Sequence, residues 1–197
     1  MSSHTDSADP GGLPVPVEDA PAREAELVAA QMGRVPRLPW RVAARCRWGF
    51  PSAVVSPSRL LDGTPFPTYA WLTCPWLSER ASAAESRGSI AEWARRAATD
   101  ENLSSRLIES DRVVRRLRAA ESGGSDACES VGIAGQRDPL GVKCLHAHVA
   151  LALVGIDDPI GTHLLGVGDP VCPDERCARL IQDVSPPKSG ARAKEDS

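Results

Sequence analysis

The chain has 197 residues, of which 42% are apolar and only 4% aromatic, a size that suits one domain and leaves little room for two. Its 23 Lys and Arg residues against 26 Asp and Glu residues give a net charge of −3, which argues against a general nucleic-acid-binding protein. The longest uncharged run in the apolar C-terminal half, Leu145 to Ile156, is too short to span a bilayer. The N-terminus lacks the basic segment and apolar core of a secretory signal, so we expect a cytoplasmic protein.

In chain order, the pattern predicts a mostly helical α+β domain over residues 19–183, between disordered tails at residues 1–18 and 184–197. A first helix over Ala22–Met32 follows Asp19 and Pro21, which favour a helix start, and ends at Gly33. Segments rich in Val, Thr and Trp then predict a small antiparallel sheet of two or three strands in the N-terminal third, over residues 42–48, 53–56 and 68–73. Capping residues and helical periodicity predict the remaining helices over residues 78–87, 89–98, 100–120, 139–155, 160–165 and 173–182.

The helix predicted over residues 100–120 has an apolar stripe in which Leu103, Leu107 and Val114 recur at helical spacing. Its other face is charged, and Asp111 precedes Arg115 by the four residues that favour an ion pair. We interpret this face as solvated and partly paired, with a phosphate-binding surface as the alternative. Its arginines are Arg112, Arg115, Arg116 and Arg118.

Six cysteines are the unusual feature of the composition. In a reducing compartment, thiols serve as metal ligands or stay free. Cys46 and Cys74 end predicted strands, each beside a Pro or Gly turn. Cys144 and His148 lie one helical turn apart, which places them on one face and leaves His146 pointing elsewhere. We therefore predict one metal site, formed where the strand ends meet this helix and the start of the last helix. The candidate ligands are Cys46, Cys74, Cys144, His148, Cys172 and Cys177.

Zinc suits a mixed set of thiol and imidazole ligands, whereas an iron–sulfur cluster favours four thiols, so zinc is the first expectation. The role of such a site would be structural or related to redox chemistry. Buried or free thiols without a metal are the competing interpretation. A further alternative is a catalytic thiol, in which Cys144 is the nucleophile and His148 or His163 the base. Cys128, in a Gly- and Ser-rich segment, is the least expected ligand.

Two smaller sets of residues are candidates for other binding. The segment around Asp62 and Thr64 has the composition of a tight turn, and its alternative role is an exposed recognition loop. Lys143 and His146, together with the arginines of the long helix, would serve an enzyme that acts on a phosphate-containing substrate.

Four strings occur in a fixed order: RCRWGFP at residues 45–51, DGTPFPT at 62–68, LTCP at 72–75 and VKCLHAH at 142–148. Together they resemble the actinobacterial family called domain of unknown function 501, over roughly residues 25–182. The resemblance implies a cytoplasmic single-domain protein of a family without an established activity. Genes of such proteins tend to lie near those for a septum-formation initiator and an exopolyphosphatase. This association gives the second functional expectation, a metal-free domain that binds a protein partner in cell division or envelope growth.

Overall fold

The computed structural model describes residues 22–37 and 39–183, so the tails predicted at residues 1–18 and 184–197 lie outside the described residues. It confirms a mostly helical α+β fold with a three-stranded antiparallel sheet in the N-terminal third. The elements are α1 (Ala22–Met32), β1 (Arg41–Arg45), β2 (Pro51–Val55), β3 (Ala70–Leu72), α2 (Pro75–Ser86), α3 (Ser89–Ala97), α4 (Glu101–Glu121), a 3₁₀ turn (Ile133–Gly135), α5 (Leu145–Leu153), α6 (Pro159–Gly166) and α7 (Cys177–Asp183).

The sheet has the order β1-β2-β3, and its central strand β2 is buried on both faces. Val54 pairs with Val42 on one side and Trp71 on the other, and this face packs against Val28 of α1. Ala53 and its same-face neighbours pack against α5 on the opposite side. Burial from both sides explains why the strand reads as a continuous small and apolar run without alternation.

Helix α5 is the centre of the fold, since it packs against β3, β2, α2 and α6. The prediction that this helix begins at Pro139 is wrong: it begins at Leu145, with Cys144 as its N-cap residue. Asp138 instead closes a turn, in which its carboxylate accepts the N–H of Leu140 and its carbonyl accepts the N–H of Gly141. An Asp-Pro pair favours a turn as readily as a helix start, and local sequence does not separate the two.

The starts of two other helices also differ from the prediction. Helix α2 begins at Pro75 with Cys74 as N-cap, three residues before the predicted Ser78, and α7 begins at Cys177 instead of Pro173. Cys74 and Cys144 both adopt the extended backbone of an N-cap residue. Both thiols therefore lie at the positive end of a helix dipole.

Arg118 is fully buried, which contradicts its assignment to a solvated face of the long helix. Its guanidinium donates to the carboxylate of Asp126 at 2.8 Å and to the carbonyls of Cys128 and Val131 at 2.7 and 2.6 Å. The segment after α4 therefore packs around one arginine. The N–H groups of its guanidinium donate to backbone carbonyls that have no hydrogen-bond partner within a helix or sheet. Among the described residues, no helix is both long and apolar enough to cross a membrane.

Candidate metal centre

Three side chains from two helices meet where the end of α2 contacts the start of α5. Glu85 lies in the last turn of α2, Cys144 is the N-cap of α5, and His146 is the second residue of α5. One potential ligand atom from each lies within 4.8 Å of the others. Within residues 22–37 and 39–183, no other three side chains of His, Cys, Asp or Glu bring ligand atoms this close together. All three side chains are partly buried, and about a quarter of the Glu85 and His146 side chains stays accessible (26% and 29%).

The distances from His146 in this cluster are close to those of a tetrahedral metal site. Nδ1 of His146 lies 3.1 Å from Oε1 of Glu85 and 3.8 Å from Sγ of Cys144. Ligands bonded to one tetrahedral zinc ion at ordinary bond lengths are about 3.4 to 3.6 Å apart. The two His146 distances therefore differ from the ligand spacing of one tetrahedral ion by a few tenths of an ångström, and part of the cluster is accessible to solvent.

Two hydrogen bonds orient these side chains. The backbone N–H of Leu145 donates to Oε1 of Glu85 at 2.7 Å, which ties the carboxylate to the start of α5. Oγ of Ser82 lies 3.2 Å from Nε2 of His146. A serine oxygen that accepts from Nε2–H leaves Nδ1 free to bind a metal, the arrangement that usually supports a metal-bound histidine.

The electrostatics favour a charged pair in the absence of a metal. Burial by itself raises the pKa of Cys144, but the His146 ring and the backbone N–H of Ala147 outweigh it, so the pKa lies below its ordinary value. The contact with Cys144 is the largest cause that raises the pKa of His146 to about 9, and Glu85 adds to it. Both shifts favour the ionic form of the Cys144–His146 pair, and a metal cation that binds Nδ1 takes the place of the proton there.

His148 lies apart from this cluster, in the buried contact between α5 and α6. Its Nδ1 is 2.8 Å from Oδ2 of Asp158, and both side chains are buried. The expectation that His146 points away from Cys144 is wrong. Because Cys144 is an N-cap residue with an extended backbone, its side chain does not follow the helical spacing that would pair it with His148.

Four of the other cysteines surround a different cavity. Cys46, Cys74, Cys172 and Cys177 all line a space of about 100 Å³ between β2, α2 and the segment before α7. The structure thus divides the predicted ligand set among three places: Cys144 in the cluster, His148 beside Asp158, and the other four cysteines at this cavity. Cys128, the least expected ligand, is buried beside the carbonyl of Ser58.

The remaining candidates lie on the surface. Lys143 is exposed, next to the cluster in sequence. Asp62 and Thr64 form the expected tight turn, in which Oδ1 of Asp62 accepts the N–H of Thr64 at 3.0 Å and Gly63 has a φ of 83°. A binding role for any of the three stays a prediction.

Sequence reasoning missed Glu85 entirely. The only local signal is that Ser82 and Glu85 are three residues apart on one face of α2. Glu85 and Leu145 are 60 residues apart, so their contact depends on how the two helices pack.

Comparison with known proteins identifies the family of this chain. No curated protein and no solved structure matches the chain. The profile of the family described as Protein of unknown function (DUF501) matches residues 42–166, a range that contains Glu85, Cys144 and His146. Because the match covers more than half of the chain, the protein belongs to the DUF501 family.

Proposed function

We propose that this protein binds one zinc ion through Glu85, Cys144 and His146. The observation that carries the proposal is the convergence of a carboxylate, a thiol and an imidazole within 4.8 Å, at the contact of two helices. A mixed sulfur, nitrogen and oxygen ligand set suits zinc better than magnesium or calcium, which prefer oxygen ligands.

The fourth coordination position is open to solvent in this proposal. Structural zinc sites close all four positions with protein ligands, whereas sites with three protein ligands bind a water molecule or a substrate. The partial exposure of Glu85 and His146 favours the second type. The bound ion would then act on a water or a substrate group in a reducing, cytoplasmic environment, which keeps the Cys144 thiol available.

A second candidate function is a metal-free reactive thiol. It is favoured by the 3.8 Å contact between Sγ of Cys144 and Nδ1 of His146, which is long for a sulfur hydrogen bond but close enough for proton exchange. In this alternative Nδ1 of His146 takes the proton of Cys144, and the Glu85 carboxylate, 3.1 Å from the same nitrogen, stabilises the imidazolium that forms, so the same three residues act without an ion.

Zinc content separates the two candidates. Protein purified without chelators is analysed by mass spectrometry of its metals, in the wild type and in Glu85→Gln, Cys144→Ser and His146→Gln variants. We expect close to one zinc per chain that each substitution removes, and no loss in the control His163→Gln, whose ring lies on α6 beside Trp93.

The absence of zinc would favour the reactive thiol. If the wild type holds no zinc and takes up none when zinc is added, and if iodoacetamide alkylates Cys144 faster than an ordinary thiol, the reactive-thiol function replaces the zinc site. Zinc that survives Glu85→Gln and Cys144→Ser belongs to another part of the chain.

A further inference from the structure

Four thiols line one small cavity at the other end of α2 from the proposed zinc site. Cys46 follows β1, Cys74 caps α2, Cys172 lies between α6 and α7, and Cys177 begins α7. Cys74 and Cys177 are buried, and all four are free thiols. The cavity has a volume of about 100 Å³, several times the roughly 10–15 Å³ that a single water-sized sphere needs.

We propose that this cavity binds an iron–sulfur cluster, with Cys46, Cys74, Cys172 and Cys177 as its four thiolate ligands. The site is independent of the zinc proposed at Glu85, Cys144 and His146. Cys172 and Cys177 follow the residues matched by the DUF501 profile, so the C-terminal segment of this chain completes the ligand set.

The spacing of the sulfurs favours a cluster over a single ion. Four thiolates on one tetrahedral zinc ion lie about 3.8 Å from one another. In the described part of the chain no three of these four sulfurs come within 4.8 Å of one another. They are nevertheless neighbours, because Cys46, Cys74 and Cys172 all interact electrostatically with Cys177. An inorganic core between the ligands accounts for four sulfurs that share a cavity without converging on one point.

The charge around the cavity suits an anionic group. Arg45, Arg47 and Arg176 line it, and among the described residues that line it there is no carboxylate, although Arg45 is paired with Glu24 outside the lining. A cluster with four thiolate ligands carries a net negative charge, and nearby cations reduce the cost of burying that charge. Arg176 is partly paired with acidic side chains at the surface, so its charge is shared between the rim and the cavity.

Hydrogen-bond donors already point at the thiols. Nε2 of Gln31 donates to Sγ of Cys177 at 3.2 Å. Burial is the largest influence on the pKa of Cys74 and raises it, while the N–H groups of Leu77 and Trp76 in the first turn of α2 lower it. Donors of this kind stabilise ligating sulfurs and tune cluster potentials.

An unpaired polar group at the cavity gives independent support. Ser52 lines the cavity, its side chain is only 1% exposed, and within the described residues its Oγ has no hydrogen-bond partner. A buried hydroxyl without a partner is rare in a folded protein. A sulfur of a cluster bound beside Ser52 would offer this hydroxyl an acceptor.

The test is purification under nitrogen from iron-supplemented cells, followed by measurement of iron, acid-labile sulfide and visible absorption. Protein that lacks the cluster after purification is treated with ferric iron, sulfide and dithiothreitol as reductant. We expect two or four iron atoms per chain, an equal amount of sulfide, and absorption near 400 nm. The number of iron atoms identifies the cluster type.

Serine variants assign the ligands. Cys46→Ser, Cys74→Ser, Cys172→Ser and Cys177→Ser should each lower the iron and sulfide content at least several-fold. Cys128→Ser and Cys144→Ser are the matched controls and should retain both, since these thiols lie outside the cavity. Because Cys74 and Cys177 are buried, circular dichroism checks that their variants fold, and the partly exposed Cys46 and Cys172 give the same test with less risk to folding.

Three results overturn the proposal. The first is failure of folded wild-type protein to take up iron and sulfide under these conditions. The second is a single zinc ion that is lost in Cys74→Ser and kept in Glu85→Gln. The third is iron that all four serine variants retain. The zinc proposal fails on a different result, namely that the wild type holds no zinc that Glu85→Gln removes. The two proposals therefore fail separately.

Discussion

Nδ1 of His148 lies 2.8 Å from Oδ2 of Asp158, and both residues are almost completely buried (1% and 0% exposed). The other oxygen of Asp158 accepts the backbone N–H of Gly161 at 2.7 Å and caps α6. One carboxylate therefore joins α5 to α6 and also forms the start of α6. This double role of Asp158 explains why His148, which the sequence spacing predicted to be a metal ligand, is instead part of the buried core.

Replacement of Asp158 by Ala should reduce the free energy of unfolding by about 3 kcal/mol, because it removes a helix cap and leaves His148 buried without its partner. Urea denaturation measures the change. Asp157→Ala is the matched control, since the Asp157 side chain is 75% exposed in its pair with Arg106, and it should cost less than about 1 kcal/mol. Equal effects of the two substitutions would show that the buried pair does not stabilise the fold.

Gly161 allows α5 and α6 to approach closely. A Cβ at this position would lie 2.0 Å from the carbonyl oxygen of His148, so Gly161→Ala should destabilise the protein by about 1–3 kcal/mol through forced separation of the helices. Gly166→Ala, on the same helix, meets nothing within 4 Å and should be neutral or slightly stabilising. Thermal unfolding of the two variants compares them directly.

Arg118→Ala should cost about 3–5 kcal/mol, because it leaves the Asp126 carboxylate buried without its cation and several carbonyls buried without a donor. Arg116→Ala, two residues earlier and 71% exposed, should change stability by less than about 0.5 kcal/mol. Chemical denaturation of both variants measures the contrast. A small effect of Arg118→Ala would mean that water replaces the guanidinium.

The ion pair between Arg118 and Asp126 predicts that the protein loses stability in acid. Burial acts to raise the pKa of Asp126, but hydrogen bonds from Arg118 and from the N–H of Cys128 outweigh it and hold the pKa below its ordinary value of 3.8. A carboxyl whose pKa is lower in the folded state stabilises the protein fully above its unfolded pKa. That contribution is lost as the pH falls through the folded pKa.

Asp126→Asn removes this titration. Between about pH 5 and pH 3, the free energy of unfolding should fall more steeply in the wild type than in the Asn variant, which is already less stable at neutral pH. Urea denaturation at a series of pH values measures both slopes. Parallel slopes would contradict the assignment of acid sensitivity to Asp126.

For the proposed zinc site, the contact between Ser82 and His146 predicts a change in zinc affinity. Ser82→Ala should weaken zinc binding about tenfold, because the ring of His146 loses the partner that holds its Nε2. Ser86→Ala, one turn further along α2 and exposed, is the control and should leave the affinity unchanged. Competition with a chromophoric chelator measures both dissociation constants. Equal affinities in the two variants would show that Ser82 does not orient the ring.

Local sequence determined much of the secondary structure of this protein. Helix α1 occupies Ala22–Met32 as predicted, and Asp158 caps α6 as predicted. The three strands lie within or next to the predicted segments. These features depend on capping residues, Gly stops and β-branched runs, whose effects reach only a few residues along the chain.

Only the tertiary structure decided which chemical groups meet. Local spacing paired Cys144 with His148, but the helix begins one residue after Cys144, so His146 lies beside the thiol instead. Glu85 reaches the same place through the packing of α2 against α5, a contact that no sequence spacing encodes. The division of the thiols between the cluster and the cavity has the same origin, because long-range packing sets where the ends of separate elements converge.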